Sequence, residues 1–236
     1  MSEVLDRAVA DTHALTSAGF DGLLVENFMD APFHPDRVPA VSVASITRAV
    51  LAVLAETTLP VGVNVLRNDA SAAVSIAAAT GARFIRVNVH TGAMWTDQGL
   101  VEGKAHRTLR LRDQLEVPVA ILADVHVKHA IPPGDTDLGT SAADAWGRGL
   151  ADALIVSGRA TGVPATAEAL QTVSAAAPSA PVLIGSGLTA ENAVGLLGLA
   201  DGAIVGSSVM RGGRAGQGVD RDRARLLVEA VRTADA

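Results

Sequence analysis

Short apolar runs alternate along the chain with longer stretches whose apolar positions recur every three or four residues. The runs are "FDGLLVENF" (20–28), "LPVGVNVL" (59–66), "ARFIRVNVH" (82–90), "VPVAILADVHVK" (117–128), "ADALIVSG" (151–158), "APVLIGSG" (180–187) and "ADGAIVGSS" (200–208). Near-continuous Val, Leu and Ile of this length predicts strands covered on both faces. Helical patterns lie between them, over roughly 40–57, 69–80, 100–116, 136–149, 166–177, 189–199 and 219–234. An eighth opens the chain, with Val4, Leu5, Ala8, Val9, Thr12 and Leu15 on one helical stripe. Thr166 and Thr189 fit as N-caps, and Asn68 or Asp69 fits as a third.

Strict alternation of helix and buried strand implies a parallel sheet with helices on both faces. Two architectures satisfy that rule, a closed barrel and an open doubly wound sheet. "FDGLLV", "ADALIV" and "ADGAIV" repeat before strands, and no GxGxxG follows the first strand. Radial repetition therefore favours one domain over 1–236, an α/β fold of the TIM (β/α)8 barrel type. Only seven strands are visible and the chain opens on a helix, so the first strand of such a barrel is missing. Three accounts stay open: an incomplete barrel, a gap filled by another segment or subunit, or a true start upstream.

Composition narrows the class. With 49% hydrophobic residues in 236, the chain carries enough apolar surface for one large core. A formal charge of −6 argues against a general nucleic-acid binder, which needs clustered Lys and Arg. Arginines near the C-terminus are interspersed with Asp and Glu, as on a solvated helix face. No cysteine is present, so disulfide and thiolate chemistry are excluded. No signal-peptide pattern and no run of roughly 20 apolar residues is found, so a soluble, cytoplasmic protein without membrane insertion is expected.

In parallel barrels the chemistry gathers where strands end. Alternation along 117–128 turns Asp124, His126 and Lys128 one way, and the same parity along 82–90 aligns Arg86, Asn88 and His90. Unpartnered, such groups would be costly to bury, so they must pair with each other, with water or with a ligand. The structural alternative is a salt-bridge layer of Arg86 with Asp124, leaving Lys128 as an exposed loop lysine. Glu26 and Asn27 follow the first visible strand, and only one of them can face inward. Asn64, Arg67, Asn68 and Asp69 follow the second. The polar segment 90–99 is expected to be a long loop, with Asp97 as a possible ligand group and Trp95 as a stacking surface or packing anchor. The segment 129–137 is expected to be a lid.

The last two strands end in small residues, and loops there are a frequent phosphate site in barrels. Gly185, Ser186, Gly187, Gly206 and Ser207 are the residues assigned to an anion, with Ser157, Gly158 and Thr161 on the rim. The structural alternative is that these glycines only permit tight turns.

The words "DGLLVENFMDAPF", "VGVNVLRNDA", "FIRVNVHTGAMWTDQGL", "ILADVHVKHA", "ADALIVSGRATG" and "PVLIGSGLTAEN" resemble the BtpA/SgcQ family from about residue 3 to about residue 230. The resemblance implies a TIM barrel related to phosphate-binding barrels. One branch of the family is linked to photosystem I accumulation, and others sit beside sugar-metabolism genes. Its motif positions fall on Glu26, Asn27, Asn64, Arg67, Asn68, Asp69, Asn88, His90, Asp97, Asp124, His126, Lys128 and Ser157. Members usually begin with a further strand, and this chain departs there.

Two readings follow. In one, the protein binds a small phosphorylated sugar or nucleoside through Asn64, Arg67, Asn88, Asp97, Ser157 and the glycine loops. Glu26, Asp124, His126, Lys128 and His90 then perform isomerase, lyase or glycosidic acid–base chemistry. A Schiff base on Lys128 is a weaker variant of it. No cofactor is predicted; a divalent metal on Glu26, His90, Asp124 and His126 is the minor alternative. In the other reading the chain is a non-catalytic assembly factor with a vestigial pocket. Its exposed edges at 20–28 and 200–208 then meet a partner or a second copy.

Overall fold

The computed structural model of the chain describes residues 1–234. Helix α1 (Ser2–Ala18) stops at Gly19, whose φ of 92° is the left-handed cap that glycine adopts at little cost. There follow β1 (Leu23–Glu26), α2 (Ala40–Leu54), β2 (Val61–Asn64), α3 (Ala70–Thr80) and β3 (Phe84–Val87). A hairpin, β4 (Ala93–Thr96) and β5 (Gly99–Glu102), precedes α4 (Ala105–Gln114), β6 (Ala120–Val125) and the short β7 (Ala130–Ile131). The chain ends through α5 (Leu138–Gly147), β8 (Ala153–Val156), α6 (Ala167–Ala176), β9 (Val182–Ile184), α7 (Ala193–Leu197), β10 (Gly202–Ala203) and α8 (Arg221–Ala234).

All seven anticipated strands form one parallel sheet in the order β1-β2-β3-β6-β8-β9-β10. The sheet curls into a half-barrel of the TIM type, with β1 and β10 as its two edges. Among the described residues these edges do not pair with each other. Each strand is shorter than its apolar run, because the run's polar end bends away into the loop that carries the site.

Two apolar layers lie between sheet and helices. Val50, Val61, Val63, Ile76, Ile85 and Ile121 pack beneath α2 and α3, while Leu154, Val156, Leu170, Val173 and Ile184 pack beneath α5, α6 and α8. Each such side chain contributes about 1.5–3 kcal/mol on burial. Gly62 makes the β2–β3 contact possible, since a Cβ there would lie 2.1 Å from the Phe84 ring.

The segment 90–99 is not the loop expected. Met94 and Val101 are buried with Val89 and Val127 in a small third cluster, and the alternation around them folds 93–102 into a hairpin. β7 adds to it antiparallel, so the segment 129–137 starts as a strand. Helix α4 consequently begins at Ala105 rather than near 100. Caps at Asp69 and Thr166 are as anticipated, each side chain accepting from the amide three residues on. Thr189 does not cap α7. The Asn192 side chain accepts from the Thr189 amide and donates to the Gly187 carbonyl, so the loop closes on itself and the helix starts later.

Candidate functional site

Beneath the mouth of the half-barrel lies a closed ion pair. Arg86 of β3 donates from Nε and Nη2 to Asp124 of β6 at 2.9 and 2.8 Å, a fork-to-fork geometry with both side chains buried. Asn88 Nδ2 donates to the same carboxylate at 2.9 Å and Ser157 Oγ at 3.3 Å. Burial by itself would lower the Arg86 pKa, but the Asp124 charge and hydrogen bonds override it and the guanidinium is held protonated. The parity that aligned Arg86 with Asp124 in the sequence is thus realised as a salt-bridge layer. The two Asp124 oxygens hold four donors and tie β3, β6 and the loop after β8 together.

Above this pair the groups are less committed. Glu26 ends β1 beside Asn64 of β2 in register, and Asn64 Nδ2 donates to Glu26 Oε1 at 2.9 Å. Arg67 Nη2 donates to the Lys128 carbonyl at 2.9 Å, while its buried Nε has no partner. Lys128 is half-buried, and its ammonium nitrogen forms no hydrogen bond or ion pair among the described residues. Burial pushes its pKa down and Arg86 and Arg67 push the same way, against Glu26 and Asp124. Arg67 is likewise lowered, first by burial, with Asp97, Asp124 and Glu26 opposing.

Neither imidazole joins this cluster. Strand β6 ends at Val125, and His126 adopts a φ of 52°, an uncommon left-handed conformation that breaks the alternation. Its Nε2 lies 2.9 Å from Ser141 Oγ on α5. It lines a lateral cavity of about 190 Å³ with Asn88, Asp124, Met94, Pro132 and Asp144. His90 lies beyond the end of β3 and its Nε2 meets the Gly149 carbonyl at 2.8 Å, with Nδ1 buried and unpartnered. Burial lowers the pKa of both, so each is neutral near pH 7. Of the two imidazoles expected beside Asp124, His126 shares a cavity with it, whereas His90 is drawn to the Gly149 carbonyl beyond the end of β3. Ser141 and Asp144, which His126 faces, carried no signal in the sequence since they lie on an ordinary helical face.

The other residues singled out divide between scaffold and rim. Asn27 accepts from the Leu66 amide at 2.7 Å, so of the pair it is Glu26 that faces inward. Asn68 accepts from the Val89 amide and donates to the Val89 carbonyl, tying the second loop to the third. Asp69 holds the amides of Ala72 and Val38. Asp97 and Trp95 sit exposed on the hairpin. Thr161 is bonded to His129, which joins the loops after β6 and β8. Glu26, His90, Asp124 and His126 do not converge as a metal site would require, since Asp124 is consumed by Arg86 and His90 points to Gly149. Among the described residues no cluster of three or more His, Asp or Glu is placed to hold an ion.

The small-residue loops after β9 and β10 stand side by side. Gly185 is required by close approach: a Cβ there would lie 2.4 Å from Ser157 Oγ and 3.4 Å from Arg86 Nη2, which puts this loop against the ion pair. Gly187 has a φ of 73° and its Cβ would strike Pro164. Ser186 is structural, accepting from the Gly158 amide and donating to the Val163 carbonyl. The amides of Gly187, Leu188, Gly206 and Ser207 find no acceptor among the described residues. Gly206 faces open space.

No helix among the described residues is long and apolar enough to cross a membrane. The chain is 48% identical to the photosystem I biogenesis protein BtpA of Synechocystis over 231 residues, 98% of this chain and 80% of that one. It is 29% identical to the putative sgc region protein SgcQ of Escherichia coli over 98% of this chain and 85% of that one. Among solved structures it is similar to the native KDPGal structure (TM-score 0.62, 20% identity, 98% of this chain and 90% of that chain). It is also similar to the thiamine phosphate pyrophosphorylase of Pyrococcus furiosus (0.63, 16%, 97% and 91%). These two likenesses establish the fold alone. A family profile described as the BtpA family matches residues 1–233, and the chain belongs to that family.

Proposed function

We propose that the chain binds a small phosphorylated molecule, of the sugar or nucleoside class, at the ends of the strands. The observation that carries this is a pair of basic groups with unused donors. Asp124 is spent on Arg86, while Arg67 and Lys128 face Glu26 and, at Arg67, the exposed Asp97. A buried guanidinium nitrogen without a partner and an unpaired ammonium favour an anion above them. The unengaged amides of Gly187, Leu188, Gly206 and Ser207 suit its phosphate. Asn64, Asn88 and Ser157 line the approach, and Glu26 is the carboxylate free to move a proton in isomerase, lyase or glycosidic chemistry. His126 would act from the lateral cavity, beside Asn88.

The test is thermal melting against sugar phosphates, nucleotides and their unphosphorylated counterparts. A ligand raises the melting temperature by binding the folded state preferentially. Gly206→Asp introduces a negative charge where a side chain meets nothing, and a cooperative melt of the variant without ligand checks that its fold is kept. Stabilisation restricted to phosphorylated compounds and lost in Gly206→Asp is the expected result. Equal response to both compound sets, or none from a cooperatively melting protein, overturns it.

A second reading, assembly on a protein partner, is favoured by the unpaired edges β1 and β10 and by the name of the Synechocystis relative. It predicts a complex or homo-oligomer on size-exclusion chromatography that charged substitutions at Leu24 or Val205 dissociate. Cytoplasmic location accords with either reading.

A further inference from the structure

The whole chain contains two lysines, Lys104 and Lys128, against seventeen arginines (19 − 2). Lys104 is spent on an ion pair with Asp36 at the surface. Lys128 stands in the mouth without a partner, ringed by Glu26 from β1, Arg67 from the β2 loop, Arg86 from β3 and Asp124 from β6, with His129 beside it. If this position needed only a positive charge, arginine would serve, as it does almost everywhere else in the chain. Arginine stays protonated and cannot act as an amine nucleophile, whereas lysine can.

We propose that Lys128 forms a Schiff base, and hence that the ligand of the mouth is a small aldehyde or ketone carrying an anionic group. The proposal deepens the anion-site reading and rests on it for the ligand's position. Three features of the geometry support it. Nζ is unbonded and half-buried; Arg67 fixes the residue through its backbone carbonyl at 2.9 Å; and Glu26, held by Asn64 through one oxygen, leaves the other free. Burial and two guanidinium groups lower the Lys128 pKa, which raises its share of neutral amine.

The step balances without an outside oxidant or reductant. The neutral amine adds to the carbonyl carbon, the C=O electron pair moves to oxygen, and that oxygen receives the proton shed by nitrogen by way of Glu26. A second proton, also delivered through Glu26, lets the oxygen leave as water while the nitrogen lone pair closes the C=N bond. The product is a protonated imine, one water is released, and the charge on nitrogen is that of the second proton.

The experiment treats the full chain near neutral pH with glyceraldehyde 3-phosphate, dihydroxyacetone phosphate and pyruvate, each with sodium cyanoborohydride, and maps adducts by peptide mass spectrometry. Lys104, ion-paired to Asp36, and the Met1 amine are the internal references. Lowering the Lys128 pKa raises its share of free amine, so labelling of Lys128 faster than of Lys104 is expected. Lys128→Arg should lose the adduct. Glu26→Gln should slow labelling while Lys128 remains present. Labelling of Lys128 no faster than Lys104, in a protein still stabilised by phosphorylated compounds, overturns the Schiff base and leaves the anion site standing. Fast labelling of Lys128 by pyruvate, with no melting shift from any phosphorylated compound, supports the amine and overturns the phosphate reading.

Discussion

The two sides of the half-barrel differ in how far they are finished. At its centre, β3, β6 and β8 are flanked by neighbours on both sides, their side chains are almost wholly buried, and Arg86, Asp124, Asn88 and Ser157 close a network across them. At its edges β1 is half-exposed after Leu23, and β10 is reduced to two residues with no neighbour on one side. The polar residues divide by depth. Arg86 and Asp124, within the central strands, satisfy each other, whereas Glu26 at the end of β1 and Arg67 and Lys128 in the loops after β2 and β6 retain unused capacity, and Asn88 Oδ1 is buried without a partner. The candidate site thus lies where the Arg86–Asp124 pair underlies groups that are less committed.

The largest test of that contrast strikes the centre. Asp124→Ala leaves the Arg86 guanidinium buried without its counter-charge and should cost about 3–5 kcal/mol in urea unfolding, whereas Glu26→Ala should cost far less. Truncating central apolar residues sharpens the same point. Leu154→Ala should cost about 2–5 kcal/mol by cavity formation, and Leu24→Ala on the edge strand clearly less. Equal losses at both positions would mean that the edge is covered in solution.

Glycines of the loops after β9 and β10 offer a smaller contrast. Gly187→Ala should cost more than about 1 kcal/mol, since its φ is positive and its Cβ meets Pro164 backbone. Gly206→Ala, into open space, should stay within about 0.5 kcal/mol.

The smallest expected effect is a pH dependence. Burial holds the folded His90 pKa below its ordinary 6.5, so below that pH the unfolded chain binds a proton the folded one does not. His90 therefore contributes stability above about pH 6.5 that declines as pH falls toward its folded pKa. Urea midpoints at pH 7 and pH 5.5 should differ less in His90→Asn than in the parent. A parent midpoint that rises on acidification would contradict the sign.

Seven strands in the right order of appearance, their parallel arrangement and the polar ends of β3 and β6 are written in the local pattern, because a two-residue period needs only neighbouring residues to express it. The pairing of Arg86 with Asp124 was legible for the same reason: both lie within strands, on matching parity, in adjacent runs. The hairpin at 93–102 was less so, although the alternation of "AMWTDQGLVE" was available as a signal, because its buried Met94 and Val101 needed Val89 and Val127 to make a core.

Tertiary structure alone decided the rest. His126 adopts a positive φ and finds Ser141 on α5, and His90 is drawn to Gly149. Asp124 is surrounded by four donors, while Lys128, past the strand's end, stands among Glu26, Arg67 and Arg86. Sequence determined what each strand offers to the end of the sheet. Which of those groups stay free was settled by loops and helices distant in the chain, since hydrogen-bond partners and burial are properties of packing rather than of spacing.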